Sequence, residues 1–104
     1  MIVEERNYHV HTGKLPELVK LYETEGIELQ KSILGQLVAV FTTDVGALST
    51  YTSLWAYDSY AQREERRAQL QANDDWKVFL TKIQPLIHTQ QNRILVPTAF
   101  SPLR

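Results

Sequence analysis

Histidines at positions 9 and 11 stand two apart in a stretch of extended-chain character, so their imidazoles share one face. That spacing can present two nitrogens to one metal ion, and Glu5 and Asn7 fall on the same face. No third ligand accompanies them, and nothing in the sequence brings His88 close, so a polar strand end before a turn is the preferred reading and no metal is expected. Glu4, Arg6 and Tyr8 occupy the opposite face, between Ile2 and Val10. Polar groups flanked by apolar ones suggest a buried, paired network. Arg6 could hold a substrate carboxylate or enolate with Tyr8 as proton donor, or the same charges could form an ion pair that fixes strand register or a dimer seam. A third group, Tyr51, Ser53, Trp55 and Tyr57, falls on one face of another strand. An aromatic row with hydroxyls suits the wall of a mostly apolar ligand cleft, and equally suits interface packing.

Other chemistry finds no footing. Ser53 and Ser59 lack a neighbouring histidine and acid, and no nucleophile elbow surrounds them. The four glycines are isolated, so no phosphate loop is present. There is no cysteine, which removes disulfides, thiolate catalysis and cysteine-ligated metals. Arg63, Glu64, Glu65, Arg66 and Arg67 read as a solvated helix face, and Trp76 and Phe79 as core. No cofactor is expected.

The elements that must position these residues follow from the change of hydrophobic period along 104 residues, a length that fits a single domain over 1–104. Ile2 to His11 reads as a strand ended by Thr12-Gly13. A helix is expected over Pro16–Lys31, weakened by Gly26 near its end. Leu34 to Thr43 and Leu48 to Tyr57 read as an antiparallel hairpin turned at Asp44-Val45-Gly46-Ala47. Ser59 and Gln62 form a capping box for a charged helix over Tyr60–Gln71. Asp74 or Asp75 can cap a further helix over Asp75–Thr89, kinked at Pro85, with Trp76, Phe79, Leu80, Ile83 and Ile87 as its stripe. Ile94-Leu95-Val96 closes the chain as a short strand.

The order β-α-β-β-α-β predicts a ferredoxin-like α+β fold, a four-stranded antiparallel sheet with its helices on one face. The two middle strands are apolar on both sides: Leu34, Val38 and Val40 alternate with Leu37, Ala39 and Phe41, and Leu54 and Ala56 alternate with the aromatic row. A wet second face would expose several large side chains, each forgoing roughly 1.5–3 kcal/mol of burial. A homodimer packed through the sheet face opposite the helices is the expected remedy.

Hydrophobic residues make up 43% and charged residues 22%, with a net charge of −1, so no footprint for nucleic acid or an anionic membrane is visible. Charges in Glu4, Glu5 and Arg6 arrive before any apolar run, so no secretory signal is expected, and a cytoplasmic location is anticipated.

The chain resembles the NIPSNAP family within the dimeric α+β barrel group. The resemblance rests on Glu4-Glu5-Arg6-Asn7-Tyr8 running into Gly13-Lys14-Leu15-Pro16-Glu17, Ser32-Ile33-Leu34-Gly35 before the hairpin, Ser53-Leu54-Trp55-Ala56-Tyr57-Asp58-Ser59 after it, and Asn92-Arg93-Ile94-Leu95-Val96-Pro97 preceding Phe100. It implies a ferredoxin-like protomer and a dimer whose facing sheets enclose a cleft. Some members of the wider group are cofactor-free monooxygenases or bind haem. Relatives often carry histidine where Ser53 stands, and serine does not titrate near neutral pH, so no acid–base role transfers to it. The expected function is a homodimer that binds a small hydrophobic ligand or acts as an accessory protein, with ligand-cleft candidates Arg6, Tyr8, Tyr51, Ser53, Trp55 and Tyr57. Alternatives are a cofactor-free monooxygenase or isomerase acting on a hydrophobic oxygenated compound, and a structural interaction module.

Overall fold

The computed structural model describes residues 1–104. Strand β1 (Ile2–Val10) leads into α1 (Leu15–Leu21), one π-helical turn (Tyr22–Gly26) and α2 (Ile27–Leu34), which form one continuous rod. The hairpin β2 (Gln36–Thr42) and β3 (Thr50–Tyr57) follows, then α3 (Tyr60–Ala72), α4 (Asp74–Ile83), a 3-10 turn (Gln84–Leu86) and β4 (Ile87–Leu95). The sheet order is β2-β3-β1-β4, every neighbouring pair is antiparallel, and the arrangement is the ferredoxin-like one. No helix is long and apolar enough to cross a membrane.

Caps set the second helical layer. Ser59 Oγ accepts from the Gln62 N–H at 3.1 Å, and Gln62 Oε1 accepts from the Asp58 N–H at 2.8 Å. Asn73, rather than Asp74 or Asp75, caps α4: its Oδ1 accepts from the Trp76 N–H at 2.9 Å. The expected helix over Asp75–Thr89 stops at Ile83. Pro85 has no N–H to continue the ladder, so the chain closes in a 3-10 turn, and Ile87 to Leu95 becomes a strand paired with β1 from Val10↔Ile87 to Val3↔Leu95. The strand is therefore much longer than Ile94-Leu95-Val96.

Alternation along β1 and β3 decides which side chains meet. Ile2↔Tyr57, Glu4↔Trp55, Arg6↔Ser53 and Tyr8↔Tyr51 stand directly opposite one another, so all eight share the face beneath the helices. Trp55, Leu18, Leu34 and Leu70 are fully buried there. An aromatic ladder crosses from sheet to helix: Tyr8–Tyr51 at 6.0 Å, Tyr51–Tyr22 at 4.7 Å, Tyr22–Phe79 at 5.0 Å and Phe79–Trp76 at 5.1 Å between ring centroids. The ladder needs the helical rod close to α4, and Gly26 provides the approach. A Cβ there would lie 2.3 Å from the buried Phe79 ring.

Gly26→Ala is therefore expected to act against ordinary helix propensity. On an open helix face the change would stabilise by up to ~1 kcal/mol; here overpacking should destabilise by about 1–3 kcal/mol. Urea unfolding monitored by circular dichroism checks this, and a variant as stable as the parent would contradict the close approach.

Candidate functional site

The centre of β1 carries Glu4, fully buried although it is a carboxylate. Such a group persists in a low-dielectric interior only with charged partners. Two arginines supply them. From its own strand, Arg6 donates Nη1–H to Glu4 Oε2 at 3.0 Å and Nε–H to the Tyr8 hydroxyl at 3.0 Å. From α3, Arg63 donates Nη2–H to Glu4 Oε2 at 2.9 Å and Nε–H to Oε1 at 3.3 Å. Asn92 on β4 completes the cluster, its carboxamide oxygen 2.8 Å from Arg6 Nη1 in the orientation that satisfies donors and acceptors alike. Burial alone would push the Glu4 carboxyl up, but the Arg63 hydrogen bond and the charges of Arg6, Arg63 and Arg67 outweigh it and hold it below its ordinary value.

The basic run on α3 is thus not a solvated face. Arg63, Arg66, Arg67 and Leu70 recur at i, i+3, i+4 and i+7, the spacing of an inward stripe, and Leu70 is fully buried. Arg66 reaches the end of α2, where its Nη1 donates to the Leu34 carbonyl at 2.9 Å. It crosses Gly35, whose φ is +93° and where a Cβ would lie 2.2 Å from Arg66 Nη1, so a side chain there is strained and would push the Arg66 tip off the Leu34 carbonyl. Arg67 makes no ion pair, and its Nη1 is buried without an acceptor. Burial and the neighbouring Arg6 charge lower its pKa. The Tyr57 hydroxyl is also buried and unpartnered; burial and Glu4 push its pKa up.

Two adjoining hollows open beside this cluster. The outer one, about 340 Å³, has Arg6, Arg63, Arg67, Gln71, Gln90 and Asn92 on its wall. The inner one, about 200 Å³, runs between sheet and helices past Arg6, Tyr8, Trp76, Leu80, Ile83 and Ile87. Arg6, Arg67, Gln71 and Gln90 border both. Of the residues singled out from sequence, Arg6 and Tyr8 line the inner hollow. Tyr51, Ser53, Trp55 and Tyr57 share their sheet face but lie in the core behind it, all buried. Ser53 Oγ accepts from the Trp55 indole N–H at 3.2 Å.

Elsewhere, the fold brings His88 within 5.1 Å of His11, ring centroid to centroid, a proximity sequence does not reveal. No group of three His, Cys, Asp or Glu side chains is placed to hold a metal ion. The sheet face away from the helices is divided. On its β1–β4 side Thr52 donates to Asn7 Oδ1 at 2.6 Å, Asn7 donates to Glu5 Oε2 at 3.0 Å, and Arg93 donates to Glu5 Oε1 at 3.2 Å. On its β2–β3 side stand Ala39, Leu54 and Phe41, the last 57% exposed.

The family model described as NIPSNAP matches residues 3–102. NipSnap homolog 1 of Danio rerio is 35% identical over 69 residues, which is 66% of this chain and 25% of the relative, so the chain spans about a quarter of that relative's length. Among solved structures, a NIPSNAP family protein of Agrobacterium tumefaciens is 47% identical and superposes with a TM-score of 0.97 over 99% of this chain and 98% of that one. An antibiotic biosynthesis monooxygenase superposes with a TM-score of 0.65 over 94% and 99% of the two chains at 7% identity, a likeness of fold alone.

Glu4→Gln keeps the shape of the side chain and takes from Arg6 and Arg63 the carboxylate they share. Breaking a buried ion pair from one side costs roughly 3–5 kcal/mol, and that loss is expected at neutral pH. Because the folded-state pKa of Glu4 lies below the ordinary 4.5, its contribution is present above that value and disappears as pH falls through the depressed one. Melting temperature measured from neutral to strongly acidic pH should therefore fall steeply for the parent and more shallowly for the variant; parallel curves would contradict the assignment.

Proposed function

Because the chain belongs to the NIPSNAP family, we propose that it works as a homodimer that binds a small molecule between its sheet and helices α3 and α4. The observation that supports this reading is the inner hollow, where Trp76, Leu80, Ile83 and Ile87 face a polar rim of Arg6, Tyr8, Arg67 and Gln90. An apolar wall with a few placed polar groups is the usual chemistry of a small-molecule site. Its volume of about 200 Å³ equals roughly seven waters at ~30 Å³ each, enough for a single ring or a short chain. The buried row Tyr51, Ser53, Trp55 and Tyr57 packs behind the hollow on the neighbouring strand, with Tyr51 stacked on Tyr8.

The dimer joins through the sheet face away from the helices. Phe41 and Leu54 offer the apolar half of that face, and the Glu5–Arg93 pair offers a polar half that a two-fold axis can set against itself. Catalysis in the same cleft is the second reading, an isomerase or a cofactor-free oxygenase. It is favoured by Tyr8, which lines the hollow and whose hydroxyl accepts from Arg6 Nε–H at 3.0 Å, a group that could exchange a proton with a bound enol or phenol.

Two measurements test these readings. Sedimentation equilibrium at micromolar concentration should give twice the 12.0 kDa chain mass, and Phe41→Glu should return the monomer; a parent that stays at 12.0 kDa at all concentrations removes the dimer. Leu80→Trp fills the inner hollow from its half-exposed edge, and it should abolish binding of small aromatic probes while the protein still melts cooperatively. Probe binding that survives would place the ligand elsewhere.

A further inference from the structure

Three guanidinium groups, Arg6, Arg63 and Arg67, stand beside one buried carboxylate, Glu4, but only Arg6 and Arg63 bond to it; counting Glu64 at the rim, three positive charges face two negative and the cluster keeps a net charge of +1. The donors are unequally engaged. Arg6 is spent on Tyr8, Glu4 and Asn92, and Arg63 on Glu4 and on Glu64 at 3.0 Å. Arg67 has none of this. Its Nη1 is sealed from solvent without an acceptor, yet the side chain borders both hollows. A buried donor without an acceptor is expensive, and a merely structural arginine would be expected to pair it or to swing it into water. The neutral amides of Gln71, Gln90 and Asn92 surround the same spot, and no second carboxylate faces it except Glu64 at the rim, already held by Arg63.

We propose that Arg67 is the anchor of an anion site, and that the ligand of the cleft is an amphipathic carboxylate. Its head group pairs with Arg67 in the outer hollow, and its apolar body enters the inner hollow against Trp76, Leu80, Ile83 and Ile87. The planar fork of arginine matches a carboxylate's two oxygens. A carboxylate suits the site better than a bare phosphate because only one of the three guanidiniums is free and because the adjoining space is half apolar. Glu4 acts as the positioning residue: by occupying Arg6 and Arg63 it leaves Arg67 alone to meet the ligand. The inference rests on the proposed cleft and names what the cleft takes.

The test is isothermal titration of the purified protein with phenylacetate, with 2-phenylethanol as the neutral probe of similar shape, and with inorganic phosphate. Phenylacetate should bind at least tenfold more tightly than either of the other two, and Arg67→Gln should weaken it at least tenfold while leaving 2-phenylethanol unchanged. Without ligand, Arg67→Gln should melt at the parent temperature or above it, because it removes a buried donor that has no acceptor; a clear fall would make Arg67 a structural residue and overturn the proposal. Equal binding of phenylacetate and 2-phenylethanol would overturn the anion site and leave the cleft intact. Phosphate binding as tightly as phenylacetate would overturn the amphipathic ligand. If none of the three binds, the anion site falls; if Leu80→Trp also changes no probe's behaviour, the cleft falls with it.

Discussion

A carboxylate with no solvent access sits at the middle of the sheet, and the architecture around it is arranged to keep it charged. Removing a carboxylate from water costs several kcal/mol even after relaxation, so Glu4 ionises only because Arg6 and Arg63 hold both its oxygens. Arg6 comes from the same strand, but Arg63 comes from α3, so the ion pair is also the tie that docks this helix on the sheet. The inward stripe of α3 accordingly carries three arginines and one leucine where an ordinary amphipathic helix would carry four apolar side chains. The helix rests on β1 by charge and on the end of α2 by the Arg66 hydrogen bond to Leu34.

The other half of the layer is packed by apolar contact. The rod of α1, the π turn and α2 meets α4 through Tyr22, Gly26 and Phe79, and the aromatic ladder carries that contact down to Tyr8 and Tyr51 on the sheet. Between the charged half and the aromatic half lies the seam of α3 and α4 over β4. Both hollows open along this seam, which is why one of them is polar and the other half apolar. An edge strand of polar residues, His88 to Arg93, leaves the seam open on one side.

Much of this was legible from the residues. Alternation in β1 put Glu4, Arg6 and Tyr8 on one face as a paired network, and alternation in β3 grouped the aromatic row. Only the strand register, Arg6↔Ser53 and Tyr8↔Tyr51, shows that the two groups face the same way, because sequence period assigns faces within a strand and not between strands. Two expectations differ from the structure. Charge alone reads Arg63 and Arg67 as solvated, and the apolar spacing through Ile87 extends the helix to Thr89, where the chain has already entered β4. In α3 the inward spacing i, i+3, i+4, i+7 was present but written in arginine. In β4 the strand is imposed by pairing with β1, and its own residues carry no alternation to reveal it. The end of α4 could have been placed from Pro85, whose missing N–H closes the helix instead of kinking it.

The central claim is that Glu4 is shared by Arg6 and Arg63 and leaves Arg67 out. A pair of double-mutant cycles in chemical denaturation separates these partners most directly. Coupling between Glu4 and Arg63, from Glu4→Gln and Arg63→Gln, should reach about 1.5–3 kcal/mol, the worth of hydrogen bonds between charged groups. Coupling between Glu4 and Arg67, from the matching pair, should be well under half of that, since only the longer-range charge connects them. Equal couplings, or a larger one for Arg67, would mean that Arg67 already has its counter-ion and that the cluster holds no free cation for a ligand.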